Sequence, residues 1–173
     1  AGYETGGFGM RIKLMRAILL EVVQPNSVWL DGGCGTGILS RELSTLGAKV
    51  VGLDASPNMI RVAKSESISE SQSISYKLVK SIESIDISNS TFDGILCSSV
   101  VEYVESPKAV FIEFSRVLKP EGRIVVSLPN KSSLIRMFQK FCRRMASLFG
   151  LHVFTYLEYS KKEFSLNSAE KLL

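Results

Sequence analysis

Apolar positions along this chain recur at two different periods, and the switching between them lays out the elements. From Met10 to Val23 the residues Ile12, Leu14, Met15, Ile18, Leu19 and Val22 follow helical spacing and Pro25 lies just beyond, which predicts a helix over 10–23. Val28–Leu30 is a short apolar run and reads as a first strand. A second helical pattern, 38–46, is closed by Gly47, the residue type that most readily takes the left-handed turn ending a helix. Val50–Leu53 reads as strand two. Ser56-Pro57 opens the next helix with a capping serine and a first-turn proline, and Met59, Ile60, Val62 and Ala63 are expected to face inward. The serine-rich stretch 65–75 reads as a surface loop or fraying helix end. Strands are expected at 76–79 and 92–97, a helix at 107–118 stopped by Lys119-Pro120-Glu121-Gly122, and a fifth strand at 123–128. Strands alternating with helices imply an α/β architecture: a doubly wound, mostly parallel sheet with helices on both faces.

Past the fifth strand the pattern changes. Over 132–149, Leu134, Phe138, Phe141, Met145, Leu148 and Phe149 fall on one half of a helical wheel, and Arg136, Gln139, Lys140, Arg143, Arg144 and Ser147 on the other. A loop containing His152 follows, and a last helix is expected to begin at Ser168. The chain therefore divides into a core over 1–130, a basic amphipathic insertion over 131–160, and the start of a further core segment over 161–173.

Chemistry concentrates in the first strand and the turn after it. Val28-Trp29-Leu30-Asp31-Gly32-Gly33-Cys34-Gly35-Thr36-Gly37 is an apolar run that ends in an acid and then in glycines at alternate positions, and strand two ends in a second acid, Asp54. A strand, a tight glycine turn, a helix and a second parallel strand form the unit that binds a nucleoside at the carboxyl ends of its strands. Gly33, Gly35 and Gly37 let the backbone approach a ligand closely. Asp54 is placed to accept both ribose hydroxyls, and its position at a strand end predicts that removing it leaves the fold nearly intact. A dinucleotide fingerprint requires Gly-x-Gly-x-x-Gly, but three residues after Gly35 stands Ile38, and counting from Gly35 places Ser40 at the last position.

Composition narrows the field further. The 173 residues are 45% hydrophobic, enough for one globular domain with a sizeable core. No run of apolar residues is long enough to predict a membrane span, and the first residues lack the basic start and apolar block of a secretion signal. Three cysteines (Cys34, Cys97, Cys142) and one histidine offer neither a disulfide framework nor a common zinc site, so no metal is expected and the chain reads as cytoplasmic. The net charge of +4 is modest for a nucleic-acid binder, and none is expected as a partner. The excess is local: five cations and no acid lie between Lys131 and Arg144. That helix has three readings, as a cover for the sheet, as a lid over an apolar acceptor, or as a peripheral contact of 132–149 with an anionic membrane surface.

The motif Asp-x-Gly-x-Gly-x-Gly, with a second acid closing the next strand, resembles the first motif of the class I S-adenosylmethionine-dependent methyltransferases. The resemblance runs from about Tyr3 to Pro129. It includes the segment from Phe92 to Val104, the helix ending Phe-Ser-Arg-Val-Leu-Lys-Pro-Glu-Gly122 and the strand ending Ser-Leu-Pro-Asn130. Cys97, Glu102-Tyr103-Val104, Leu128-Pro129-Asn130 and the Tyr159-Ser-Lys-Lys-Glu-Phe-Ser stretch are similar to the ubiquinone-biosynthesis O-methyltransferases of the small-molecule branch. The family fold adds two more strands, so the resemblance implies a core incomplete at its carboxyl end.

The resemblance implies S-adenosylmethionine as cofactor and S-adenosylhomocysteine as product. By the family pattern Asp31 orients the loop, Gly33 and its neighbours contact the methionine moiety, Asp54 takes the ribose, and Met59 or Ala55 packs on the adenine. Arg11 stands where some relatives use an arginine on the cofactor's carboxylate. Relatives place an acid near the adenine amino group where this chain has Ser81, whose hydroxyl or the nearby Glu83 would substitute; Ile82 and Cys97 complete the implied cofactor set. Tyr103 stands where many relatives have histidine.

An already activated methyl group leaves the enzyme to align nucleophile and methyl and exclude water, with a general base for a hydroxyl acceptor. Glu102 and Tyr103, after strand four, are candidates for that role, with helix capping and wall packing as the plainer readings, and His152 is a candidate to close over the site. The expected function is methyl transfer to a small, apolar, hydroxylated acceptor. Two alternatives stay open: an NAD(P)-dependent oxidoreductase, disfavoured by the glycine spacing, and a non-catalytic S-adenosylmethionine-binding protein.

Overall fold

The computed structural model describes residues 7–67, 73–147, 160 and 162–171. Five strands, β1 (Val28–Gly32), β2 (Lys49–Asp54), β3 (Ile74–Leu78), β4 (Phe92–Ser98) and β5 (Leu118–Ser127), form one sheet in the order β3-β2-β1-β4-β5. Every neighbouring pair is parallel, with Leu30 opposite Val51 on one side and Ile95 on the other. The strand order reverses direction between β1 and β4, which makes their carboxyl ends the switch point where a crevice opens.

Alternation along the strands divides the core into layers. Trp29 and Leu96 pack with Met15 and Leu19 of α1 (Gly7–Val22) and Leu43 of α2 (Ile38–Thr45). Their neighbours Leu30, Ile95 and Cys97 point the other way, against Val110, Phe111, Phe114 and Val117 of α4 (Pro107–Val117). Ile60 and Ala63 of α3 (Pro57–Glu66) pack on Tyr76 and Cys34. The doubly wound parallel architecture expected from the pattern is the one observed.

Several boundaries differ, each for a local reason. β3 begins two residues before the predicted start, at Ile74. β5 begins at Leu118, directly after α4, because the Lys119–Gly122 stretch bulges within the ladder, with Glu121 at φ 64°, and pairing with β4 resumes at Gly94 opposite Arg123. The described part of the amphipathic helix, α5, is Leu134–Ser147; Leu148 and Phe149 lie outside the described residues. The last helix, α6 (Leu166–Glu170), starts earlier than predicted. Its cap is Ser165, whose side chain accepts the Ser168 amide while Ser168 Oγ accepts the Ser165 amide, so the predicted starting serine is the other half of a capping box.

Candidate active site

A cavity of about 820 Å³ opens at the carboxyl ends of β1, β2 and β4, within the range of about 300–1,000 Å³ typical of small-molecule sites. The glycine turn forms its floor. Gly33 and Cys34 donate to the Leu53 carbonyl at 2.7 and 2.9 Å, and Gly37 donates to the Cys34 carbonyl at 2.9 Å, which folds the turn back on β2. Gly33, Gly35 and Gly37 all have positive φ. Their surroundings separate them. A Cβ at Gly33 would run into Val100, whereas one at Gly35 (φ +53°) would meet nothing within 4 Å and would project into open space. Gly35 is thus the glycine whose missing side chain leaves room at the cavity floor.

Two acids hold this turn. Asp54 lines the cavity, and its Oδ2 accepts the Gly35 amide at 2.8 Å while Oδ1 accepts the Ser56 amide at 2.8 Å. Each carboxylate oxygen keeps further acceptor capacity for a ligand hydroxyl. These two bonds correct the expectation that Asp54 is dispensable to the fold, since it staples the glycine turn to the start of α3. Asp31 is buried, and its Oδ2 accepts the Ser40 hydroxyl at 2.5 Å, fixing β1 to α2. Burial pushes the Asp31 carboxyl up to about 6; the Ser40 hydrogen bond opposes that rise and the charge of Asp54 adds to it.

The remaining wall comes from α1, α3 and the segments after β3 and β4. Arg11 reaches in from α1 and donates through Nη1 to Ser99 Oγ. Ser99 sits at φ 59°, an unusual conformation for a residue with a side chain, and its amide donates to Ser127 Oγ at 2.8 Å. Ala55 and Met59 line the wall near Asp54. Met59, expected to face the core, is 39% exposed, because its position in the first turn of α3 overhangs the cavity. Ser81 and Ile82 line the far side together with Glu83. Tyr103, 48% exposed, stands on the wall after β4.

Other predicted residues lie elsewhere. Gly37 does not line the cavity; the Tyr76 ring occupies the space beside it. Cys97 is fully buried and packs in the α4 layer, because alternation along β4 turns it away from the crevice, and burial pushes its thiol up. Cys34 lines the floor, and burial raises its thiol as well. Glu102 is 6% exposed, lies behind the cavity wall between Val101 and Tyr103, and has no hydrogen-bond partner at Oε2. Burial raises its carboxyl above the ordinary value, while Arg136 and Arg11 pull it down in part. His152 falls outside the described residues.

The structure adds contacts that the pattern did not single out. Lys162 Nζ donates to the Val104 carbonyl at 2.8 Å and also to the Glu105 carbonyl, tying the segment before α6 to the cavity wall after β4. Glu163 Oε1 pairs with Arg136 Nε at 2.8 Å and Lys140 Nζ at 2.7 Å. The acid that neutralises two of the cations of α5 thus lies in a later segment of the chain. The opposite half of α5 is open: Leu134, Phe138, Phe141 and Met145 are all exposed, so the helix does not cover the sheet with that face. Among the described residues no helix is long and apolar enough to cross a membrane, and no cluster of ligands for a metal ion occurs.

Residues 30–126, more than half of the chain, match the methyltransferase domain family. The chain belongs to the class I S-adenosylmethionine-dependent methyltransferases. Among similar proteins of this methyltransferase family is a ubiquinone biosynthesis O-methyltransferase of Xanthomonas oryzae pv. oryzae, 34% identical over 104 residues, covering 60% of this chain and 43% of that protein. A ubiquinone biosynthesis O-methyltransferase of Xanthomonas campestris pv. campestris is 32% identical over 116 residues, 66% of this chain and 48% of its own length. The chain thus spans about half the length of the curated relatives it matches. An S-adenosylmethionine-dependent methyltransferase structure from Mesorhizobium loti superposes with a TM-score of 0.60 at 28% identity, covering 68% of this chain and 53% of that one. A further structure, from Methanosarcina mazei, reaches a TM-score of 0.71 at 21% identity over 90% of this chain and 81% of that one, and shows the shared fold.

Proposed function

We propose that this methyltransferase binds S-adenosylmethionine in the cavity at the strand ends and O-methylates a small, apolar, hydroxylated acceptor, releasing S-adenosylhomocysteine. The observation that carries the reading is the glycine floor: Gly35 leaves space where any side chain would project into the cavity, beside an aspartate with acceptor capacity to spare. Asp54 would take the ribose hydroxyls, Ala55 and Met59 would flank the base, and Arg11, which lines the cavity, would take the carboxylate of the amino-acid end. When bound, the cofactor supplies a methyl group activated by a positively charged sulfur.

The chain's own part is to orient and to accept a proton. Glu102 is the proposed base: burial raises its carboxyl above the ordinary value, and among the described residues Oε2 has no hydrogen-bond partner. Tyr103 and Val100 supply wall for an apolar acceptor. The similarity to the Xanthomonas O-methyltransferases supports a hydroxyl acceptor. Transfer of labelled methyl from S-adenosylmethionine over a panel of quinols, catechols and amines tests the reading. Turnover is expected with an apolar catechol or quinol, and Glu102→Gln is expected to lower it about 10²–10⁴-fold with cofactor affinity unchanged. Methylation of amines alone would refute the acceptor class, and cofactor binding without any transfer would leave a binding protein.

We also propose that α5 lies against an anionic membrane surface. The exposed stripe of Leu134, Phe138, Phe141 and Met145 on a helix otherwise rich in cations supports this. Because Arg136 and Lys140 are paired with Glu163, apolar insertion carries more of the affinity than charge. Flotation with vesicles rich in anionic lipid is expected, and Phe138→Ser/Phe141→Ser is expected to abolish it while cofactor binding persists. No flotation by the wild type would return α5 to a lid.

A further inference from the structure

Among the described residues only two buried side-chain polar atoms lack a hydrogen-bond partner, and they belong to groups of opposite charge: Glu102 Oε2 behind the cavity wall and Arg136 Nε on α5. Arg136 Nε lies 2.8 Å from Glu163 Oε1, an ion pair without the alignment of a hydrogen bond, while its Nη2 donates to the buried Ser160 hydroxyl. The segment 162–164 brings these groups to the acceptor wall. Lys162 Nζ donates to the Val104 and Glu105 carbonyls on one side of Glu163. On the other, the Phe164 amide donates to the Pro129 carbonyl and its carbonyl accepts the Lys131 amide, both at 2.9 Å, and its ring packs on the cluster that holds Val101 and Val104. Glu163 is thereby fixed between the wall after β4 and the start of α5.

We propose that Arg136, anchored by Glu163 and Ser160, is a positioning residue that serves as the counter-ion of the base Glu102. The inference rests on the reading of Glu102 as base above. A buried carboxyl without a counter-ion takes up a proton and can no longer accept one. The charged groups facing Glu102 are Arg136 from α5 and Arg11 from α1, and the Cys97 thiol of β4, kept neutral by burial, also faces it. Burial raises the Glu102 carboxyl and the two arginines oppose that rise. Arg11 has other work: it donates to Ser99 and, in the reading above, meets the cofactor's carboxylate. Arg136 shares Glu163 with Lys140, whose Nζ is 2.7 Å from the same oxygen, so two cations meet one carboxylate and a net positive charge remains beside Glu102. Burial works against the charge on Glu163, but Lys140 and Arg136 outweigh it and hold its carboxyl below the ordinary value. The helix that the pattern sets apart as an insertion thus supplies part of the acceptor site.

The test follows the Glu102 carboxyl in the whole chain in two ways. One is a carbon-13 NMR titration of the ligand-free protein labelled at its glutamate carboxyls, with the Glu102 signal assigned by its absence from Glu102→Gln. The other is the pH profile of labelled methyl transfer to tert-butylcatechol. In Arg136→Gln the Glu102 midpoint is expected to move up. Its kcat at neutral pH should fall about tenfold and recover as the solution is made alkaline, with KM for the catechol and affinity for S-adenosylhomocysteine near wild type. Arg136→Lys keeps the charge and should retain most of the wild-type profile. Arg136→Met keeps the packing of the stem and should show the same loss and alkaline recovery if the glutamine variant does not fold. A merely structural role would lower turnover equally at every pH and leave the midpoint in place, which overturns the proposal. A wild-type midpoint and profile without the Arg136 charge also overturns it, while a slow Glu102→Gln would leave the base reading standing. Wild-type turnover in Glu102→Gln, or no transfer by the wild type, removes the base reading and this inference with it.

Discussion

Asp54→Ala separates two roles that one carboxylate performs. In the folded chain without ligand, Asp54 accepts the amides of Gly35 and Ser56, both at 2.8 Å. A hydrogen bond to a charged acceptor is worth about 1.5–3 kcal/mol when well shielded, and Asp54 is half-buried, so about 1 kcal/mol for each is the better figure. Alanine also leaves two amides of the turn without partners, so a total loss of about 2–3 kcal/mol of stability is expected. For a domain of this size that lowers Tm by about 4–12 °C. The affinity for S-adenosylhomocysteine should fall by a further 2–4 kcal/mol or so, for the two ribose hydroxyls. Thermal unfolding of the ligand-free protein reads the first quantity, and calorimetry well below Tm reads the second. A variant with unchanged Tm would refute the claim that Asp54 staples the turn; unchanged affinity would remove it from the ribose.

Three more predictions come from the same geometry. Asp31 has a folded-state value of about 6, above its unfolded value, so the native state binds the extra proton and stability rises as pH falls from neutral toward 5; urea unfolding should show that gain, about 1–1.5 kcal/mol, in the wild type and not in Asp31→Asn. Gly33→Ala should unfold readily because its Cβ meets Val100, whereas Gly35→Ala should lose only about 1–2 kcal/mol to the strain of a side chain at φ +53° and should stay folded while losing cofactor binding; equal thermal stability in the two variants would contradict the assignment of the cavity floor. Glu163→Ala should cost about 1 kcal/mol, discounted for the exposure of Lys140, and should speed hydrogen exchange in α5 selectively, since it releases Arg136 and Lys140 together.

How far the sequence reached depended on whether an element is specified locally. The alternation of apolar runs and helical spacing located all five strands and the doubly wound class, because burial on both faces leaves a continuous apolar signature in β1, β2 and β4. The glycine turn was legible for the same reason: positive φ at Gly33, Gly35 and Gly37 is a local demand met by residue type. What escaped depends on contacts between distant segments. Which glycine faces open space is decided by Val100 and Tyr76, far along the chain. Cys97 faces the core by strand register, and the bulge that lets β5 start at Leu118 is invisible in a stretch that reads as a turn. Glu163, which neutralises two cations of α5, lies more than twenty residues away, so charge counting within the helix missed it.

The most direct test of the central claim is calorimetric titration of S-adenosylhomocysteine, and separately NAD, into the wild type and into Gly35→Val. The account predicts saturable one-to-one binding of S-adenosylhomocysteine to the wild type, no binding of NAD, and loss of binding in Gly35→Val, whose added side chain enters the cavity floor. Binding of NAD in place of S-adenosylhomocysteine, or a folded Gly35→Val that binds S-adenosylhomocysteine as the wild type does, would contradict it.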